Sequence, residues 1–114
     1  MNGQEFLTSV QYGTPIIVIV CNNAMYGTIR MHQERHHPTR ISGTDLVNPD
    51  FAALARACGG YGATVERTED FAAAFDEAQA SGLSAIIELK IDPDAITPVK
   101  TLSGIRAEAI RQKR

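Results

Sequence analysis

The segment IIVIVC at residues 16–21 is the feature that most limits what this chain can fold into. It is a continuous run of mostly β-branched residues, and Gly13 and Pro15 set it off from what precedes it. A strand buried on both faces has this composition, whereas a half-exposed strand alternates apolar and polar residues. The run therefore predicts a strand of a parallel sheet, and it is far shorter than the roughly 20 residues that span a bilayer.

Helical and extended patterns alternate along the rest of the chain. Strands are also predicted over residues 61–66 and 84–91, and helices over residues 2–12, 28–35, 49–58, 68–81 and 102–114. Residues 36–50 are rich in turn formers and predict a long loop. This order predicts an α/β fold of three α/β/α layers, with a parallel sheet joined by right-handed crossovers.

Helix ends and inward faces follow from the same patterns. Asn48 is predicted to cap the third helix, with Pro49 in its first position and Asp50 favouring its dipole, and Thr68 is predicted to cap the fourth. Apolar spacing at i, i+3 and i+4 predicts three inward-facing groups: Phe6, Leu7 and Val10; Phe51, Leu54, Ala55 and Cys58; and Phe71, Ala74, Phe75 and Ala78.

The predicted sheet is incomplete. It has three strands and the chain opens directly on a helix, yet the first strand is too apolar for an exposed edge. We therefore expect a neighbouring strand that these residues do not supply, or a partner chain.

Composition limits the remaining classes of function. The chain has 114 residues, 44% hydrophobic residues and a formal net charge of −2, which predicts one globular domain. The acidic balance argues against a nucleic-acid partner, and with no membrane-spanning or signal segment we expect a cytoplasmic protein with no membrane partner. Cys21 and Cys58 lie in apolar patterns and are predicted to be reduced and buried.

Two amides follow the apolar strand directly, at Asn22 and Asn23. Ligands of open parallel sheets bind beyond the carboxyl ends of the strands, and an amide oxygen suits Mg²⁺ or Ca²⁺. If a helix begins at Thr28, its free N–H groups suit phosphate. The alternative is that the two amides merely close a turn, which Asn residues do often.

Residues 1–101 resemble the C-terminal part of the thiamine-diphosphate-binding domain of acetolactate-synthase-type enzymes. The resemblance rests on the segments MNGQEF, VQYGTPIIVIVCNNAMYGTIR, TDLVNPDFAALARACGG and SAIIELKIDPDAITP. Residues 102–114 would then be a C-terminal helical tail. The family's cofactor motif begins with Gly-Asp-Gly and ends with Asn-Asn, and only its second half is present. The resemblance implies a fragment that starts at an internal methionine.

The resemblance also implies a ligand set at the turn. Asn23 matches the family residue whose side-chain oxygen binds Mg²⁺, and Met25 matches the one whose backbone carbonyl is a second ligand. Tyr26, Gly27 and Thr28 match the backbone turn that contacts the diphosphate. The family's Asp ligand has no counterpart here, so weak cofactor binding is expected of these residues alone.

The implied function is that of an enzyme that uses thiamine diphosphate and Mg²⁺ to decarboxylate and ligate 2-keto acids. Acetolactate synthesis is the reaction that the resemblance favours. A homo-oligomer is implied for the full-length parent. The family's catalytic glutamate lies in another domain, so no catalytic residue is assigned to this chain. The alternative from another class is a non-catalytic remnant or interaction module with the same fold.

Other polar residues have simpler interpretations. His32 and His36 stand four apart and could bind zinc on a persistent helix, but Pro38 follows closely and a solvated loop is favoured. A substrate-facing role for Arg30 or His32 stays open. Glu5 is interpreted as part of a solvated helix face.

Overall fold

The computed structural model describes residues 2–113, which divide into two compact units. Unit 1 runs to Asn22 and includes Asn48–Lys90; unit 2 is formed by Asn23–Val47 and the chain from Ile91 onward. The elements in chain order are α1 Phe6–Gln11, β1 Ile17–Asn22, α2 Gly27–His36, α3 Phe51–Ala57, β2 Tyr61–Val65, α4 Phe71–Ser81, β3 Ala85–Lys90, β4 Ala95–Thr97, β5 Lys100–Thr101 and α5 Leu102–Gln112. Among residues 2–113, no helix is long and apolar enough to cross a membrane.

Unit 1 is a three-layer α/β/α arrangement, which confirms the predicted fold class. Its parallel sheet has the strand order β1-β3-β2, and Ala85 of β3 pairs with both Ile17 and Tyr61. One face carries the core of α4, with Ala78, Ile87 and neighbouring apolar residues. The other face carries α1 and α3, in a core of Phe6, Ala55 and Ile86 with the apolar residues packed against them.

The prediction that the first strand is buried on both faces is wrong for the described residues. β1 lies at the sheet edge, with β3 as its neighbour. Its side chains Ile19 and Cys21 are exposed, and Ile16 just before the strand is 42% exposed. The strand that is buried on both faces is β3, because it is the central strand and helices cover it on both sides. The expected neighbour of β1 stays a prediction.

Two predicted helix caps are wrong. Asp50, not Asn48, caps α3, because the Asp50 side chain accepts the N–H of Ala53 at 2.8 Å. Pro49 therefore precedes the helix instead of opening it. Thr68 starts a 3₁₀ turn, Thr68–Asp70, and its side chain makes no capping hydrogen bond to α4. The predicted Asn48 cap fails because its amide bonds elsewhere, to Asn22.

Two leucines predicted to face the core are exposed, Leu7 at 53% and Leu54 at 41%. The reason for Leu54 is the close approach of α3 to β2. A Cβ on Gly62 would lie 2.1 Å from the Ala52 carbonyl oxygen, so only small side chains fit between the helix and the sheet. Ala52 accordingly is buried on this face.

Unit 2 contains α2, α5 and a two-stranded antiparallel hairpin of β4 and β5 that the sequence patterns did not predict. The helix predicted over residues 102–114 is present as α5 up to Gln112, and it packs against α2; residue 114 lies outside the described residues. Leu102, Ile105 and Ala109 are its buried residues. A side-chain oxygen of Thr101 caps α5 by accepting the N–H of Gly104.

Candidate functional site

The chain turns sharply after β1. Asn23 is half-buried, and its Oδ1 accepts the backbone N–H of Met25 at 3.2 Å, which closes a local turn. Ala24, between them, has a left-handed φ of 55°. Such a conformation is uncommon for a residue other than glycine or asparagine, and it marks a constrained turn.

A segment of the long loop holds this turn in place. The Tyr26 N–H donates to the Thr44 carbonyl at 2.8 Å, and the Leu46 N–H donates to the Ala24 carbonyl at 2.8 Å. Met25 and Asp45 therefore stand opposite each other in a short antiparallel bridge. Part of the loop predicted over residues 36–50 is thus ordered against the turn.

The turn leads straight into α2, and all five residues implied by the resemblance lie here. Within the described part of the chain, α2 starts at Gly27 without a side-chain cap, so the first N–H groups of this helix are open to a ligand. An open depression of about 330 Å³ is lined by Met25, Tyr26, Gly27, Thr28 and Ile29. Uncapped N–H groups beside a depression favour an anion such as phosphate.

Gly27 is needed for the close packing of this turn. A Cβ at Gly27 would lie 2.9 Å from Asn23 Nδ2 and 3.1 Å from Ile96 Cδ1. The side chain of Asn23 therefore lies against the helix start, beside the depression.

Two oxygen atoms of the turn can still accept a ligand. An amide oxygen has two lone pairs, and the hydrogen bond from Met25 occupies one of those on Asn23 Oδ1. No hydrogen bond to the Met25 carbonyl oxygen is found within residues 2–113. Both are neutral oxygens, the donor type that hard cations such as Mg²⁺ prefer. The residues therefore fit a divalent cation held partly by a ligand's phosphate.

Unit 1 has a buried polar network at the carboxyl ends of β1 and β3 that sequence reasoning missed. Asn22 Nδ2 donates to Glu88 Oε1 at 2.6 Å and Asn48 Nδ2 donates to Asn22 Oδ1 at 2.8 Å. Lys90 Nζ also donates to Glu88 Oε1, at 2.6 Å. Burial raises the pKa of the Glu88 carboxyl, but the bonds from Lys90 and Asn22 outweigh it and hold the pKa below its ordinary value. Asn22 thus joins β1 to β3 and to Asn48, and it is Asn23 that closes the local turn.

A second buried carboxylate, Glu34, lies in unit 2 on α2. Its two oxygens accept hydrogen bonds from Arg106 of α5, one of them from Nε at 2.7 Å. These bonds lower the pKa of the Glu34 carboxyl against the burial that would raise it, and the carboxylate in turn raises the pKa of Arg106. A glutamate in the middle of a polar helix gave no sign of this burial in the sequence.

The remaining candidates do not form a site. α2 contains His32, within the predicted helix, and extends through His36, so the loop interpretation is wrong, although both side chains are exposed to solvent as expected; their rings stack 6.1 Å apart. Within residues 2–113, no three His, Cys, Asp or Glu side chains group to hold a metal ion. Glu5 is exposed and accepts a hydrogen bond from Thr8.

The cysteine prediction is partly wrong. Cys21 and Cys58 are free, but Cys21 is exposed instead of buried. It lies on the edge strand β1, where it lacks the second neighbour that a buried strand would have.

Known proteins match this chain over most of its length. The family described as thiamine pyrophosphate enzyme, C-terminal TPP binding domain, matches residues 1–89. YdaP of Bacillus subtilis (strain 168) is 33% identical over 106 residues, which cover 89% of this chain and 17% of that protein. The acetolactate synthase large subunit of Parasynechococcus marenigrum is 41% identical over 71 residues, 60% of this chain and 12% of that protein.

The mitochondrial acetolactate synthase catalytic subunit of Saccharomyces cerevisiae is 32% identical over 88 residues, 77% of this chain and 13% of its own length. The chain thus spans less than a fifth of the length of each of these three relatives. The family match covers the sheet of unit 1 as well as the turn at residues 23–28 with its open oxygens and helix start. The chain therefore belongs to the thiamine pyrophosphate enzyme family, in the family's C-terminal cofactor-binding domain.

Proposed function

We propose that this chain is the part of a thiamine-diphosphate- and Mg²⁺-dependent enzyme that holds the metal and the diphosphate, and that the whole enzyme decarboxylates and ligates 2-keto acids as acetolactate synthases do. The observation that carries the proposal is the turn after β1, where the second lone pair of Asn23 Oδ1 and the Met25 carbonyl oxygen adjoin an uncapped helix start. A neutral-oxygen pair beside open N–H groups suits a metal bound to a diphosphate. A homo-oligomeric parent is part of the same proposal.

Each residue of the turn has a defined part. Asn23 Oδ1 and the Met25 carbonyl would be the protein's ligands to Mg²⁺, and the N–H groups of Gly27 and Thr28 would contact the diphosphate. Gly27 leaves the room that the Asn23 side chain needs beside the helix. When bound, thiamine diphosphate supplies the electron sink that stabilises the carbanion left by loss of carbon dioxide.

We further propose that the 114 residues by themselves bind the cofactor weakly and do not catalyse the reaction. Neither proposed ligand is a carboxylate, whereas Mg²⁺ sites in proteins usually include one or two. We expect a dissociation constant on the order of 1 mM, equivalent to about −4 kcal/mol. The opposite result, micromolar binding by the chain, would contradict this part of the proposal.

The second candidate function is an interaction module, and the exposed edge of β1 favours it. Ile16 and Ile19 are 42% and 45% exposed on an edge strand, which can pair with another chain. Under this alternative the chain associates through β1 and does not respond to the cofactor at the turn.

A titration followed by amide chemical shifts separates the two candidates. Thiamine diphosphate and Mg²⁺ are added together up to about tenfold the expected dissociation constant. We expect saturable shifts at the amides of residues 23–29, and no such shifts without Mg²⁺. If the cofactor produces no shifts at the turn, and dilution of the chain shifts only the amides of β1, the interaction module is favoured and the proposed function is contradicted.

A further inference from the structure

Four charged side chains form a continuous row in unit 2. Arg106 of α5 binds both oxygens of Glu34, which is fully buried. Arg30 Nε lies 3.6 Å from Glu34 Oε1, and Arg30 Nη1 lies 3.5 Å from Asp45 Oδ1. The row thus alternates in sign from the C-terminal helix to the loop segment beside the turn.

Arg30 is held in this row by charge alone. Its guanidinium is 20% exposed, and within residues 2–113 its side chain makes no hydrogen bond, although Nε is buried. A buried donor without a hydrogen bond is costly, so the position of Arg30 depends on the two carboxylates that flank it. Neutralising Glu34 removes the buried one, and Asp45, which is 90% exposed, is a weak anchor by itself.

The row ends at the residue that faces the proposed metal ligand. Asp45 stands opposite Met25, and the hydrogen bonds on either side of that pair join Tyr26 to Thr44 and Leu46 to Ala24. A shift of the Asp45 backbone would therefore shift the bridge that positions Met25.

We propose that Glu34 is a positioning residue, which acts through Arg30 and Asp45 to hold loop segment 44–46 against the turn at residues 24–26, and that α5 makes this possible by pairing Arg106 with Glu34. The claim about the turn stands independently, and its meaning for cofactor binding rests on the proposed function. The helix at residues 102–112 is then a support of the turn and not a passive tail.

Removing Arg106 alone should disturb the turn more than removing both Arg106 and the charge of Glu34. Arg106→Ala takes both Arg106 hydrogen bonds from the buried Glu34 carboxylate and leaves it beside Arg30 at 3.6 Å, which is unfavourable, whereas removing both partners of a buried pair is far better tolerated. The pair is therefore expected to couple: the double variant Glu34→Gln with Arg106→Ala disturbs the turn less than Arg106→Ala does. The Gln33 side chain makes two hydrogen bonds to the backbone of Ser42 in the same loop. None of the variants removes these bonds, so the loop keeps this contact with α2 in all of them.

The test is amide hydrogen exchange on the 114-residue chain without cofactor. We expect Glu34→Gln to raise the exchange rates of the Tyr26 and Leu46 amides at least tenfold, while the Tyr61 and Ala85 amides of unit 1 keep theirs. Ile105→Val is the control, because it weakens the packing of α5 without changing a charge.

Equal rates in Glu34→Gln and in Ile105→Val at Tyr26 and Leu46 would overturn the proposal. Should Glu34→Gln fail to fold, Arg106→Lys is compared with Arg106→Ala. Lysine keeps the charge but lacks the two-pronged geometry of arginine. We therefore expect the Tyr26 and Leu46 amides to exchange more slowly in Arg106→Lys than in Arg106→Ala. Equal exchange rates in these two variants would count against the proposal.

The cofactor titration is then repeated on Glu34→Gln. If Glu34→Gln loses the amide shifts that the cofactor produces in the wild-type chain, the row of charged side chains affects cofactor binding. If the wild-type chain shows no response at all, the proposed function fails while the exchange rates still decide the role of Glu34.

Discussion

Replacing Asn23 by alanine and by aspartate separates its two roles. Alanine removes the acceptor of the 3.2 Å bond from the Met25 N–H and also the proposed metal ligand. Aspartate keeps an oxygen in the same place and adds the carboxylate that the turn lacks. The two variants should therefore move stability and metal binding differently.

The magnitudes follow from what each oxygen does. A net contribution of about 0.5–1.5 kcal/mol is typical of one half-buried hydrogen bond, so Asn23→Ala should lower the free energy of unfolding by about 1 kcal/mol. Losing a polar partner at the site costs about 1–3 kcal/mol of binding, and every 1.4 kcal/mol is tenfold in the dissociation constant. Asn23→Asp should leave stability within about 0.5 kcal/mol of the wild type and strengthen the Mg²⁺-dependent response.

Urea unfolding gives the first quantity, and the amide shifts at residues 23–29 during Mg²⁺ and thiamine diphosphate titration give the second. Val99→Ala, at a valine of unit 2 that is 87% exposed, is the control for nonspecific effects on the shifts. An unchanged Mg²⁺ dependence in Asn23→Ala would remove Asn23 from the ligand set. A weaker response in Asn23→Asp than in the wild type would refute the argument that the turn lacks a carboxylate.

Three further predictions concern stability. Gly62→Ala places a Cβ 2.1 Å from the Ala52 carbonyl oxygen and should destabilise the chain by about 3 kcal/mol in urea unfolding, whereas Gly3→Ala, with open space around it, should change little. Asp50→Ala removes the cap of α3 and should cost about 1 kcal/mol by the same assay, while Asp50→Asn retains most of the stability. The Glu34 carboxyl has a folded pKa below its ordinary value of 4.5, so its contribution is complete above that value and is lost as the pH falls through the folded pKa. Urea unfolding between pH 6 and about pH 3 should show a smaller acid loss in Glu34→Gln, and equal losses would contradict the pKa direction.

The sheet and its order of elements could be predicted from the sequence because apolar runs and helical spacing are local signals. The strands at residues 17–22, 61–65 and 85–90 and the helix Phe71–Ser81 were all found this way. The exposure of Ile19 could not be predicted, since it depends on which strand is central, and that is a long-range property.

The prediction that Asn48 caps α3 was wrong for a related reason. Asn48 and Asp50 are both good cap residues by type, and a partner far along the chain bears on the choice between them. Asn48 bonds Asn22, 26 positions away, and this leaves Asp50 to cap α3. Leu54 was misplaced because the spacing rule does not register how closely Gly62 lets the helix approach the sheet.

The amides after β1 indicated the candidate site, and the resemblance implied its proposed ligand set. The sequence could not reveal the support around it, since Glu34, Arg106 and Glu88 are charged residues that ordinarily stay in water. Their burial follows from pairings of distant residues, such as Glu34 with Arg106, 72 positions apart.

The most direct test of the proposal that this turn binds the cofactor is paramagnetic broadening by Mn²⁺ added with thiamine diphosphate. Mn²⁺ shares the preference of Mg²⁺ for oxygen ligands and broadens only the signals of nearby nuclei. We predict selective loss of the Asn23 side-chain amide signal and of the Met25 and Gly27 backbone amides, reversed by excess Mg²⁺. Broadening centred on His32 and His36, with the turn unaffected, would contradict the account.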